Sequence, residues 1–382
     1  MPTRVDVNPD VLIWFRKDAG FHDVISLPKS IRDNVIKWES GEKKPTWNQL
    51  RELGDKYKRP ATFFLMENPK ESFTEEFADY RTITDSTSEK SPNFIYEIRR
   101  AIKRRNILLD LLDSDYNLYS PPILDIKNDD SEIESLAYHI KKILDVDIQD
   151  QIEWSRKDNK HYYALREWKN TVESLNILIF ESRGVSVDEF RGITISEFPF
   201  PIILLNGSDS PNARIFTLIH ELIHIFEKTS AICDLTEHDR IEAFCNKLTG
   251  EILVPKNLIE EMDIVIENES MEWNDTVLRG LSNYFGVSRD VILTRLLILK
   301  RTSQNFYNAT LKRWKEESKT YPKQSGGSFD YKTIIKLNGR LFTKQMVNAY
   351  EKELINSVEF SRFMGGIKLK HVPDLIENVG GQ

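Results

Sequence analysis

Residues 220–224 read His-Glu-Leu-Ile-His, two imidazoles and a carboxylate in the pattern H-E-x-x-H. Residues four apart on an α-helix share a face, so His220 and His224 can present ring nitrogens to one divalent cation. Glu221 stands on the rim of that face, placed to take a proton from a water that the cation polarises. The chemistry implied is metal-assisted hydrolysis, with His220 and His224 as ligands, Glu221 as catalytic base and Zn²⁺ as the ion. Manganese and iron suit the same donors, although two His and one carboxylate favour zinc weakly. A catalytic zinc takes a third protein ligand and a water. Glu242, 18 residues after His224, falls on the next expected helix, Asp239 to Glu251. Antiparallel packing of the two helices would bring it to the imidazoles. Asp234 and His238 compete for the role, His238 standing just before that helix in a solvated position. Cys245, three residues after Glu242, could approach the ion, but a free cysteine is usually a small buried apolar residue. His139, His161 and His371 lack partners at ligand spacing and are assigned nothing.

The helix that carries the motif needs a buried side, and Ile215, Leu218, Ile219, Leu222 and Phe226 supply an apolar stripe at helical spacing. Thr217, His220, Glu221, His224 and Lys228 fall on the other side. Upstream, Tyr162 to Leu175 reads as a helix. Ile177–Phe180, Arg191–Ile195 and Pro201–Leu205 read as short strands. A substrate strand is expected to pair with an edge strand such as Pro201–Leu205. The fold class expected is α+β, mostly helical: an N-terminal bundle of short helices that resembles a helix-turn-helix, a zincin-like domain with a small sheet, and a helical C-terminal tail. The boundaries read as 1–70, a linker and helical connector over 71–153, the metal-binding domain over 154–305, and an extension over 306–382.

The first 70 residues read as short helices. Pro9 sits at a favourable first-turn position, and Thr46 with Gln49 forms a capping box. Ser131 with Glu134 forms a second such box farther on. This stretch holds 13 Lys/Arg against 10 Asp/Glu, a charge of +3 inside a chain of −7. The stretch resembles a helix-turn-helix, in which the second helix reads the major groove; the resemblance implies that this helix is Ser30 to Trp38. Arg32, Asn34 and Lys37 are the candidate base contacts, and Lys43 and Lys44 suit phosphates. The bland readings are a solvated face or a protein-binding module. A basic helix, Phe94 to Leu112, carries Arg99, Arg100, Lys103, Arg104 and Arg105, read as a solvated face or a homodimer contact. Leu281 to Leu297 superficially reads as another helix-turn-helix, better explained as packing behind the site. Polar, proline-containing linkers are expected over 68–92 and 119–130, and a final helical segment from Thr343 to Phe363.

Composition is that of an ordinary globular protein, 40% apolar and 30% charged. No run of about 18 apolar residues exists, so no membrane span is expected. The first residues lack the apolar core of a secretion signal. Two cysteines, Cys233 and Cys245, exclude a disulfide framework and suggest a reducing cytoplasm. No internal repeat is visible.

Asn212-Ala-Arg-Ile-Phe-Thr-Leu-Ile-His-Glu-Leu-Ile-His224 followed by Ile241-Glu-Ala-Phe-Cys-Asn-Lys-Leu-Thr-Gly-Glu-Ile-Leu-Val-Pro255 resembles the ImmA/IrrE metallopeptidases. Their arginine-phenylalanine-threonine lead corresponds to Arg214, Phe216 and Thr217, with Ile215 inserted. Their glutamate-x-x-x-asparagine signature maps onto Glu242 and Asn246, which implies Glu242 as third ligand. Phe190-Arg191-Gly192, Pro199 to Asn206 and Leu281 to Asp290 also look like this family. Trp38-Glu39-Ser40-Gly41-Glu-Lys-Lys-Pro45-Thr46 resembles the lambda-repressor-like (XRE) helix-turn-helix often fused to these peptidases. It departs from that pattern at Phe21 to Pro28, where Pro28 shortens the helix before the turn. Together the resemblances imply a regulatory zinc endopeptidase that cleaves a specific protein, commonly a transcriptional repressor, in stress response, mobile-element control or defence, and that binds DNA through its N-terminal domain. The alternative is a DNA-binding regulator or antitoxin whose peptidase fold senses a partner without cutting.

Overall fold

The computed structural model of the chain describes residues 3–67, 91–112, 132–157, 160–230, 238–318 and 331–380. Ser131, Cys233, Asp234, the 119–130 linker and most of the 68–92 linker lie outside the described residues. The chain divides into two compact units: Met1–Lys103 with Ser182–Phe190, and Arg104–Glu181 with Arg191–Gln382. Among the described residues no helix is long and apolar enough to cross a membrane.

The first unit begins with α1 (Pro9–Asp18), α2 (Lys29–Glu39) and α3 (Trp47–Tyr57). Asn8 caps α1 by accepting from the Asp10 amide, with Pro9 in the first turn. Thr46 and Gln49 form the reciprocal capping box of α3. Leu12, Phe15, Val35, Leu50 and Phe64 make a small core. Arg16 links α1 to α2 through a two-pronged ion pair with Glu39, at 2.8 and 3.2 Å, and also donates to the carbonyls of Phe21 and His22. The helix before the turn is reduced to one 3₁₀ turn, Val24–Ser26, capped by Asp23. Pro28 lacks the N–H that would carry that helix onward.

The basic helix α4 (Pro92–Leu111) corrects one expectation. Arg99 pairs with Asp18 at 2.6 Å and Arg100 with Glu97 at 3.0 Å. Within the second unit, Arg104 lies over the Phe180 ring at 5.2 Å, and Arg105 pairs with Glu197 at 3.0 Å. Only Lys103 of this stripe is plainly exposed. Arg99, Arg104 and Arg105 are therefore internal struts, held by groups distant in sequence, while Arg100 is held by Glu97 of the same helix.

The second unit contains α5 (Ile133–Ile143), α6 (Ile148–Trp154) and α7 (Lys160–Glu173), then β1 (Leu178–Ser182), β2 (Gly192–Ile195) and β3 (Ile202–Asn206). The long α8 (Pro211–Ser230) and α9 (His238–Leu253) follow. Short helices α10 (Lys256–Glu260) and α11 (Asp263–Ile266) lead to α12 (Asp275–Phe285), α13 (Arg289–Ile298) and α14 (Gln304–Ser318). The tail forms α15 (Tyr331–Asn338), α16 (Arg340–Glu351), α17 (Ser357–Phe363) and α18 (Val372–Gly380). The single segment expected from Thr343 to Phe363 is thus broken, at a left-handed Glu353.

The sheet order is β1-β3-β2, with β2 and β3 antiparallel and Gly192 opposite Leu205. Pro201–Leu205 therefore supplies the central strand and not an edge; β1 and β2 flank it. Its burial on every residue fits that place. α8 packs between this sheet and α7, and α9 lies against α8 and α5. One apolar core, including Trp168, Ile203, Leu218, Leu222, Leu248 and Leu293, joins these layers.

Candidate metal centre

Helix α8 starts at Pro211, with the Ser210 hydroxyl accepting from the Ala213 amide. Its stripe of Ile215, Leu218, Ile219, Leu222 and Phe226 is fully buried. Burying five such side chains is worth on the order of 10 kcal/mol before conformational entropy is set against it, so the helix cannot rotate its other face away from where the motif needs it. That other face is not simply solvated: Thr217 and Glu221 are also buried, because β2 packs on it. Arg214, 1% exposed, fixes the start of the helix by pairing with Glu181 of β1 at 2.7 Å. Lys169 of α7 reaches the other oxygen of Glu181 at 3.2 Å. Burial pushes the Glu181 carboxyl up, but Lys169, Arg214 and Lys336 outweigh it and hold the group below the usual range.

One turn apart on α8, His220 and His224 bring their Nε2 atoms to 3.0 Å. Glu242 of α9 meets both: Oε2 lies 3.3 Å from His220 Nε2, and Oε1 lies 3.0 Å from His224 Nε2. Hydrogen bonds from the two imidazoles hold the Glu242 carboxyl well below the ordinary carboxylate range. The His220 ring is also stacked on Phe216, with centroids 6.2 Å apart. Cys245 Sγ lies 3.8 Å from His224 Nδ1, but burial pushes its thiol up, consistent with the apolar role. His238 opens α9, and its side chain is not among those described.

The residues fit a divalent ion. Ligand atoms about 2 Å from a tetrahedral zinc stand roughly 3.3 Å from one another, close to the three separations found. Two His and one carboxylate form the donor set of an open catalytic site, and the three are half-buried. His220 Nδ1 is buried with no hydrogen-bond partner among the described residues, a departure from the usual outer support of a ligating imidazole.

Glu221 does not join this cluster. Its Oε2 accepts from the Thr194 hydroxyl at 2.7 Å, which fixes the carboxylate against β2. Gly192, two residues earlier on the same face of β2, lets the helix approach. A Cβ there would collide with Thr217 Cγ2 and come within 2.7 Å of Glu221 Oε1. Sequence reasoning did not find Thr194, Gly192, Glu181 or Lys169 as parts of the site. The signals were the period-two alternation of Arg191–Ile195, which places Gly192 and Thr194 on one face, and the family resemblance of Phe190-Arg191-Gly192.

The proposed DNA contacts are placed less evenly. Arg32 donates through Nε and Nη2 to the Leu27 carbonyl at 3.2 and 2.7 Å, so its guanidinium ties α2 to the preceding turn. Lys44 pairs with Asp6 at 2.9 Å. Lys37 and Lys43 are exposed and Asn34 is half-buried; the Lys43 amide bonds the Lys37 carbonyl, which keeps those two adjacent.

With this geometry in place, one comparison bears on the part of the chain that holds it. Residues 172–297 match the Peptidase M78 family model, described as the IrrE N-terminal-like domain. The matched stretch runs from the end of α7 into α13 and holds the sheet, His220, Glu221, His224 and Glu242. It is thus similar to a metallopeptidase family over about a third of the chain. No curated protein and no solved structure matches the chain.

Proposed function

We propose that the protein is a zinc-dependent endopeptidase that acts on a specific protein, a transcriptional repressor being the class the resemblance suggests. The observation that carries the reading is the convergence of His220, His224 and Glu242 beside a separately anchored Glu221. Zinc held by those three residues would supply a Lewis acid and a water of lowered pKa. Thr194 occupies Glu221 Oε2, so Oε1 is the oxygen left to take the proton of the attacking water and hand it to the leaving amine. An extended substrate segment would add to the sheet along β2, the edge strand that carries Thr194. Two exposed lysines, Lys37 and Lys43, support a further proposal that the N-terminal unit contacts DNA phosphates.

The test is labelling of new protein N-termini in a cell lysate after addition of the full chain. Wild type should generate a small set of new termini, and Glu221→Gln should lose them while keeping its metal. His224→Ala should lose both the termini and about one equivalent of zinc. Regulation that persists in Glu221→Gln would favour the other reading, a sensor that binds its partner without cutting. Equal zinc in wild type and His224→Ala would sink the metal centre itself.

A further inference from the structure

A concave site lies at the amino end of the helix that carries the metal-ligand candidates. The cleft, about 400 Å³, is lined by His161, Ser210, Asn212, Arg279, Ser288 and Arg289 among others, and none of the described residues that line it is a carboxylate. Its volume is that of a small-molecule site. Two guanidinium groups make its character cationic, and the His161 imidazole adds a hydrogen-bonding group. The fold fixes their frame. Asn212 donates to the Val287 carbonyl at 2.9 Å, joining the start of α8 to the turn between α12 and α13. Ser282 Oγ donates to the same carbonyl at 2.6 Å. Arg289 is braced over the Trp314 ring at 4.4 Å. Two acidic neighbours have cation partners: Asp209 pairs with Arg191 at 3.0 Å, and Asp290 is attracted by both Arg191 and Arg289, so Arg279 is the guanidinium with the larger share of its charge left for a ligand. The amino ends of α8 and α13 border the cleft, which adds their positive ends to the side-chain charge.

We propose that this cleft binds a small phosphorylated anion, with Arg279 and Arg289 gripping the phosphate and Ser210, Ser288 and His161 completing its contacts. Planar guanidinium groups recognise phosphate oxygens in pairs, and arginine is favoured where such recognition matters. The cleft's size favours a compact ligand over a DNA backbone, whose binding draws on several cation–phosphate contacts spread along the duplex. The site is independent of the peptidase reading. It would place a ligand on α8 nine residues before His220, about 13 Å along the helix.

The experiment is calorimetric titration of the full chain with inorganic phosphate, pyrophosphate and a nucleoside diphosphate, at constant ionic strength in chloride. Saturable one-site binding is expected, weakened at least tenfold by Arg279→Ala and by His161→Ala. Arg279 is exposed, so its removal leaves the fold intact; unchanged melting of that variant checks this. His224→Ala should bind the anion as wild type does, which separates the cleft from the metal centre. The proposal is overturned if none of the three probes saturates, or if the two variants bind like wild type. It also fails if binding is lost in His224→Ala but kept in Arg279→Ala, which puts the anion on the metal. Displacement by a short DNA duplex at lower concentration than any small phosphate would assign the cleft to DNA and overturn the small-ligand reading.

Discussion

Glu221 is 9% exposed, and a carboxylate that moves a proton must keep one orientation through the reaction. Thr194 supplies that constraint by donating to Oε2 at 2.7 Å from a strand whose own position is set by pairing with β3. Removing the hydroxyl leaves a buried oxygen without its donor, a loss of about 1–3 kcal/mol. Thr194→Val is therefore expected to slow formation of new termini by tenfold or more, with zinc content unchanged. Thr194→Ser, which keeps the hydroxyl, should recover most of the rate. A Thr194→Val protein that cuts at the wild-type rate would remove Thr194 from the positioning of the base.

Helix α8 and strand β2 approach most closely at Gly192, where the strand carries no side chain and the helix presents Thr217 and Glu221. Gly192 is opposite Leu205 in the ladder, so β2 cannot slide away to admit a methyl group. Gly192→Ala would press on Thr217 and Glu221, and overpacking of this kind costs about 1–3 kcal/mol. The expected outcome is a melting temperature lower by several degrees together with reduced cleavage. Unchanged melting and cleavage would show that helix and strand are not tightly seated. Features at this scale differ in how far the sequence revealed them. The apolar stripe of α8, the Asn8-Pro9 start of α1 and the Thr46–Gln49 box were legible because each signal lies within a few turns of chain. The His220–His224 pair was legible for the same reason. Strand order was not, since nothing in Pro201–Leu205 says which neighbours it takes. The fate of Arg99, Arg104 and Arg105 was hidden too. Their partners, Asp18, Phe180 and Glu197, are far away in sequence, so a basic stripe read in isolation resembled a solvated face. Glu242 was reachable through the expected packing of two adjacent helices and through the glutamate-x-x-x-asparagine resemblance, not through any local spacing to the histidines.

Across the second unit, the C-terminal extension is fastened to the peptidase-like part by groups that no local pattern announces. Gly339 has φ 74° and sits where a Cβ would strike Glu173 and the Ile179 carbonyl. It offers α16 no side-chain cap, and Glu173, from the end of α7, takes over by accepting the amides of Arg340 and Leu341 at 3.1 and 3.2 Å. Lys169 adds a bond to the Lys336 carbonyl at 3.1 Å, and Phe342 packs edge-on against Phe180. Burial pushes the Glu173 carboxyl up to about 7, against the opposing pull of Lys169, the two amides and Arg340. The sign of the consequence follows from linkage. The unfolded group ionises near its ordinary value of 4.5. Between there and about pH 7 the folded chain holds a proton that the unfolded chain has lost. Stability from this group is therefore complete below the unfolded value and is lost as pH rises through 7. Glu173→Gln cannot ionise, so its melting temperature should change less than that of wild type between about pH 5.5 and pH 8. Histidines and other groups titrating in that window are common to both proteins and cancel in the comparison. A variant whose melting falls with pH as steeply as wild type would place the Glu173 transition elsewhere, and with it the view that this carboxyl is the point where the tail's attachment senses pH.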